Sequence, residues 1–172
     1  MSLSDETINE LIQCPKIITR RPRREMAVQG RHRRNEFDLQ SEDAIHSFHG
    51  FIRQSTEFPE NFSVGLEYTS SPDGVRVCLI RCNGPHGETV QLPSTPDHHF
   101  VCHVHKATAE AIEAGRRPES FTTYCEQFTT LEEAIVYFCT TCNIEGAEFF
   151  FGFMEAERNR QLRLFEDEHE QH

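Results

Sequence analysis

Five of the chain's ten histidines, His86, His98, His99, His103 and His105, fall between Arg81 and His105. Imidazole exchanges protons near neutral pH and is also the commonest metal ligand, so this segment is a proton-transfer site, a metal site or an unusually polar strand. In an extended chain from His98 to His105, alternation sends Phe100, Cys102 and Val104 to one face and His99, Val101, His103 and His105 to the other. The first face is apolar and belongs to the core. His103 and His105 then share the opposite face, where Arg81 of the preceding strand can join them across an antiparallel pair. Cleaving a phosphodiester through its own 2′-hydroxyl needs one group to remove a proton, another to protonate the leaving oxygen, and a cation on the phosphorane oxygens. His103 and His105 supply the proton transfers, Arg81 the charge, and His86, on the turn Asn83-Gly84-Pro85-His86, an alternative acid.

Two other readings stand beside this one. His103 and His105, two apart on one strand face, are spaced as divalent-metal ligands on sheets are, with a third ligand from His86, His98 or His99, although the strand offers no acidic partner. Alternatively the histidines are structural, hydrogen-bonded to backbone or to acids. Cys139-Thr-Thr-Cys142 has the spacing of redox and zinc motifs, but both sulfurs lie on the apolar stripe of a helix and away from its start, where thiolates are stabilised. They read as core cysteines, as do Cys78 and Cys82 on a strand that is apolar on both faces.

The elements that must position these groups can be read in turn. Ser4 is an N-cap, acids follow it, and Leu3 with Ile8 forms a hydrophobic staple, so a first helix runs to about Gln13 and stops before Pro15. From Lys16 to Thr69 the chain reads as extended segments between turns, of unsettled strand order. Phe62, Val64, Leu66 and Tyr68 alternate with polar or small residues, as in a half-buried strand. Ser70 to Gly74 is a tight connection into Val75–Cys82, a central strand. A short helix from Ala107 to Ala114 closes at Gly115, and the capping box Thr130-Leu-Glu-Glu133 opens a stronger one with an apolar stripe through Leu131, Ala134, Ile135 and Phe138. A last helix is expected over Ala147 to Phe165, although Phe149, Phe151 and Phe153 also fit a strand. The expectation is therefore an α+β fold in a single domain, 1–172, with a central antiparallel sheet, one N-terminal helix and two to three C-terminal helices. Residues 1–15 form the first helix, 16–106 a mainly β region, 107–165 a helical region and 166–172 an acidic tail.

With 172 residues the chain is long enough to bury a core without staples. Seven scattered cysteines and an N-terminus without a leader pattern point to a reduced, cytoplasmic protein. No apolar stretch approaches the length of a membrane span, and nothing calls for a cofactor. The net charge of −11 disfavours indiscriminate binding to nucleic acid, yet eight of the seventeen basic residues lie between Lys16 and Arg34. Arg20, Arg21, Arg23, Arg24, Arg31, Arg33 and Arg34 there form either a solvated charge run or a phosphate-facing patch. At the other end Phe149, Phe150, Phe151 and Phe153 exceed what one short amphipathic face needs, which marks a surface for a protein partner or a second copy.

Arg81-Cys-Asn-Gly-Pro-His86, His103-Val-His105-Lys-Ala and Thr130-Leu-Glu-Glu-Ala134 together resemble a family of uncharacterised prokaryotic proteins that is itself similar to the small TumE-type toxins of bacterial toxin and antitoxin pairs. The resemblance covers about residues 62 to 144. It implies a compact toxin-like module acting on RNA, and it points to Arg81, Asn83, His86, His103 and His105. The long basic N-terminal part and the phenylalanine-rich C-terminal extension depart from that pattern. The expected function is a metal-independent endoribonuclease of a bacterial cytoplasm with a His/Arg site. The alternatives are a non-catalytic interaction or regulatory protein and a divalent-metal-binding protein.

Overall fold

In the computed structural model, residues 3–70, 74–86 and 97–154 are described. Ser4 caps helix α1 (Asp5–Gln13), its hydroxyl accepting from the Thr7 N–H at 3.1 Å, and Leu3 and Ile8 are buried as the staple requires. Nine strands follow in one sheet: β1 (Lys16–Arg20), β2 (Ala27–Gln29), β3 (His32–Ser41), β4 (Ser47–Ser55), β5 (Phe62–Ser70), β6 (Val75–Asn83), β7 (His103–Lys106), β8 (Phe121–Tyr124) and β9 (Ile144–Glu145). Helix α2 (Ala109–Glu113) links β7 to β8, and α3 (Leu131–Thr141) links β8 to β9. The order across the sheet is β8-β7-β6-β5-β4-β3-β1-β9, with β2 also paired to β3. From β3 to β6 each strand pairs antiparallel with the next as a meander, while β1 and β2 both pair with β3. β1 pairs antiparallel with β3 and parallel with β9, which makes the sheet mixed within an α+β fold.

The core lies on one face of this sheet, beneath α1 and α3. Phe37, Leu39, Ile52, Val64, Leu66 and Ile80 point there and meet Ile8 and Leu11 of α1 and Ala134, Ile135 and Phe138 of α3. The predicted capping box of α3 is present, with the Thr130 hydroxyl accepting from the Glu133 N–H at 3.2 Å and the Glu133 carboxylate accepting from the Thr130 N–H at 3.2 Å. Lys16 is not part of the basic surface that its position in the sequence suggests. It is 0% exposed, and its Nζ donates to the carbonyls of Ile12 and Cys14 at 2.8 Å each and of Cys142 at 3.1 Å. A cation there satisfies carbonyls at the C-terminal ends of two helices at once, and burial pushes its pKa below the usual lysine range.

Three sequence expectations need correction. The strand holding the histidines begins at His103 and not at His98, because Asp97–Phe100 coils into a short 3₁₀ helix. Region 107–165 is not purely helical: Phe121–Tyr124, rich in aromatic and β-branched residues, adds to the edge of the sheet as β8, and Ile144–Glu145 pairs with β1. The expected last helix does not start at Ala147, where a 3₁₀ turn, Ala147–Phe149, follows Gly146, whose φ is 68°. Phe151 then sets its ring edge-on against Phe37, 5.8 Å between centroids, and helical residues begin at Phe153. The remainder of that expected helix and the acidic tail lie outside the described residues. No helix among the described residues is long and apolar enough to cross a membrane.

Candidate functional site

Residues directly opposite in a β-ladder share a face. The register of β5 to β8 lines up Ser63, Asn83, His103 and Tyr124 in one cross-strand row and Gly65, Arg81, His105 and Thr122 in the next. Arg81, Asn83, His103 and His105 therefore occupy one face, the face turned away from α1 and α3, as the alternation argument requires. Gly65 leaves room in the second row for the ring of Phe51, which a Cβ at that position would overlap.

The hydrogen bonds of this row assign the imidazole of His103. Ser63 Oγ donates to Asn83 Oδ1, which turns the amide so that Asn83 Nδ2 faces His103 Nε2 at 3.2 Å. On the other side, His103 Nδ1 lies 2.8 Å from the Val101 carbonyl, which only accepts, so Nδ1 carries the proton and Nε2 the lone pair. His86 Nε2 lies 3.3 Å from the same nitrogen. His103 is 0% exposed and His105 is buried, with its Nδ1 2.9 Å from Thr122 Oγ1 and its ring 4.8 Å from that of His103. The two strand histidines thus lie below the surface, and the groups that reach it are Arg81 and His86. The turn that carries His86 is fixed by Gly84, where a Cβ would overlap the Glu60 carbonyl, and by a bond from the His86 N–H to the His99 carbonyl at 2.8 Å. His99 brings its ring within 4.5 Å of His86 from the 3₁₀ turn, and the side chain of His98 lies outside the described residues.

Arg81 and His86 open into a cleft of about 400 Å³ whose lining includes His32, Arg34, Arg53, Ser63, Asn83 and Arg117. Four guanidinium groups from β3, β4, β6 and the segment after α2 converge there. Two of them share one carboxylate: Arg117 Nε donates to Glu119 Oε1 at 2.7 Å, and Arg81 Nη2 stands 3.8 Å from the same oxygen. The Nε atoms of Arg34 and Arg81 are buried and have no hydrogen-bond partner among the described residues. Buried donors of this kind are rare, because desolvation without a partner is costly. In a chain of net charge −11, the cleft concentrates positive charge and unused donors at one place.

The basic N-terminal run does not act as one patch. Arg20 grips Asp38 at 2.5 and 3.1 Å, and this hydrogen bond, helped by His49, holds the Asp38 carboxyl down at about 2. Arg31 pairs with Glu57 at 3.6 Å, and the backbone of Arg23 is clasped by the Asn35 amide at 2.9 Å in both directions. Arg21 and Arg24 lie between β1 and β2, and Arg33, exposed, alternates to the opposite face of β3. Of the seven arginines expected to face phosphate, Arg34 lines the cleft. Sequence reasoning missed His32, Ser63, Arg53 and Arg117. The register pairing Arg34 with Arg53 was the signal for one of them, and it depends on a hairpin whose strand order the sequence leaves open.

Cys139 and Cys142 are buried among apolar neighbours, as expected, and burial pushes the Cys142 thiol up to about 12. Among the described residues no group of three or more His, Cys, Asp or Glu side chains stands where it could hold a metal ion. Comparison of the chain with protein-family models, with curated proteins and with solved structures finds no match.

Proposed function

We propose that the chain binds RNA with a backbone phosphate seated in the arginine cleft and cleaves it by metal-independent attack of the 2′-hydroxyl. The observation that carries this reading is the pair of buried Nε donors on Arg34 and Arg81 that have no partner among the described residues, beside Arg53 and Arg117. A phosphate oxygen satisfies such donors with charge-assisted hydrogen bonds, and the same donors hold the charge that grows on the phosphorane. His86 transfers the proton at the reacting oxygen. Its ring is held from behind by His103, which Asn83 and Ser63 hold in turn. His32, on the β3 wall of the same cleft, is the second proton-transfer group. In this scheme His103 and His105 are positioning residues, and the resemblance to TumE-type toxins is consistent with the chemistry.

The test is incubation of the purified protein with single-stranded RNA in excess chelator, with analysis of the 3′ ends. The reading requires 2′,3′-cyclic phosphate products and a rate at least about 100-fold lower for His86→Ala, with RNA affinity retained. Cleavage that depends on added metal, or an unchanged rate in His86→Ala, would contradict it. A second reading, self-association through the phenylalanine-rich end, is favoured by Phe149, which is 83% exposed. Sedimentation of wild type beside Phe149→Ser decides it: a dimer lost in the variant supports this reading, and a wild-type monomer removes it.

A further inference from the structure

Two cysteines outside the cleft, both partly buried against the rim of the core, stand opposite each other at the end of the β7–β8 ladder. His103 pairs with Tyr124, so the next opposed pair is Cys102 and Cys125, and the bond from the Cys125 N–H to the Cys102 carbonyl, 3.1 Å, extends the ladder to it. Alternation turns both side chains away from His103, to the face that carries Val104 and Cys82. Opposed residues of a hydrogen-bonded antiparallel pair have Cα atoms about 5.5 Å apart, within the range that disulfides span. Both residues are partly exposed, so a small disulfide can reach them.

The other five cysteines lack this combination. Cys82, Cys139 and Cys142 are at most 2% exposed. Cys78 and Cys14 turn their thiols to the carbonyls of Ile80 and Leu11, at 3.8 and 3.5 Å, on separate elements. We infer that Cys102 and Cys125 form a reversible dithiol that closes to a disulfide on exchange with a small disulfide such as oxidised glutathione. One thiol loses its proton and attacks a glutathione sulfur, which forms a mixed disulfide and releases one glutathione. The second thiolate attacks the protein sulfur of that adduct, which closes the Cys102–Cys125 bond and releases the second glutathione. The protein is oxidised by two electrons and loses two protons, and the glutathione disulfide is reduced. The bond joins the strand segment next to His103 to the edge strand, so it also fixes Val101, whose carbonyl holds His103 Nδ1. This inference does not depend on the RNA reading.

The test uses the folded, reduced full chain incubated with oxidised glutathione, blocked with an alkylating reagent and mapped by mass spectrometry without reduction. The expected result is an intact mass lower by two hydrogens before blocking, a single cross-link joining Cys102 to Cys125, and its reversal by dithiothreitol. In Cys102→Ser, Cys125 should instead be trapped as the glutathione adduct, while Cys139→Ser should cross-link as wild type does. Persistent mixed adducts in the wild type, a cross-link between any other pair, or no change in mass would each overturn it. The wild-type result stands even where a variant folds poorly.

Discussion

Arg33 and Arg34 are neighbours in the sequence with identical chemistry, yet β3 sends them to opposite faces, so they separate a site from a basic patch. Arg34 lines the cleft with a buried Nε that has no partner among the described residues, and Arg33 is exposed on the other face. If Arg34 donates to a ligand phosphate, Arg34→Gln removes a charged hydrogen bond of about 1.5–3 kcal/mol. At about 1.4 kcal/mol per decade this weakens binding about 10- to 150-fold. Fluorescence anisotropy of a short single-stranded RNA, titrated at several ionic strengths, measures it. The slope of log affinity against log salt should also become shallower by about 0.7, the value for one phosphate contact to a single strand. Arg33→Gln should change affinity no more than about twofold, by the small screened attraction of an exposed charge. The Arg34 variant should keep its thermal midpoint, because no described bond to Nε is broken by it. Equal losses for the two variants would refute the reasoning, because they would restore a diffuse basic patch in place of the cleft.

Two further outcomes follow from the scaffold. The Asp38 carboxyl is depressed from 3.8 to about 2 in the folded state, so the folded chain binds fewer protons than the unfolded chain between those values. Its stabilisation is complete above that window and is lost as pH falls through it. Because Asp38 is 41% exposed, solvent screening limits the effect to about 1 kcal/mol or less. Acid unfolding followed by circular dichroism should show Asp38→Asn losing less stability over the window than wild type, and parallel curves would contradict the Arg20–Asp38 assignment. Lys16→Met should cost about 2 kcal/mol or more in urea unfolding, because three carbonyls at the ends of α1 and α3 lose their shared donor. A variant as stable as wild type would show that water or apolar packing serves those carbonyls equally well.

Much of this arrangement was legible from local pattern. Period-two alternation put Arg81, His103 and His105 on one face, and the capping signals at Ser4 and Thr130 located two helix starts, because each depends on residues a few positions apart. Burial was not legible in the same way. His103 reads as a surface histidine on the polar face, and it is sealed because Asn83, His86 and the Val101 carbonyl converge on it from chain segments that only the tertiary fold brings together. The cleft has the same origin: Arg34, Arg53, Arg81 and Arg117 lie as far as 83 positions apart in sequence, and strand order assembles them. Lys16 shows the converse, a cation counted with its basic neighbours that the helix ends draw inside. Over the phenylalanine run the periodicity fits either element, and the described part is a 3₁₀ turn with Phe151 packed on Phe37 before helical residues begin at Phe153.

The most direct test of the central claim is to watch the guanidinium groups themselves. In ¹H–¹⁵N spectra of the arginine Nε–H groups, assigned with single Arg→Lys variants, titration with a short single-stranded RNA should move Arg34 and Arg81 together and saturably. Arg21, Arg24 and Arg33 should stay in place. Movement confined to that second set, or no movement in Arg34 and Arg81 at saturating RNA, would contradict the account.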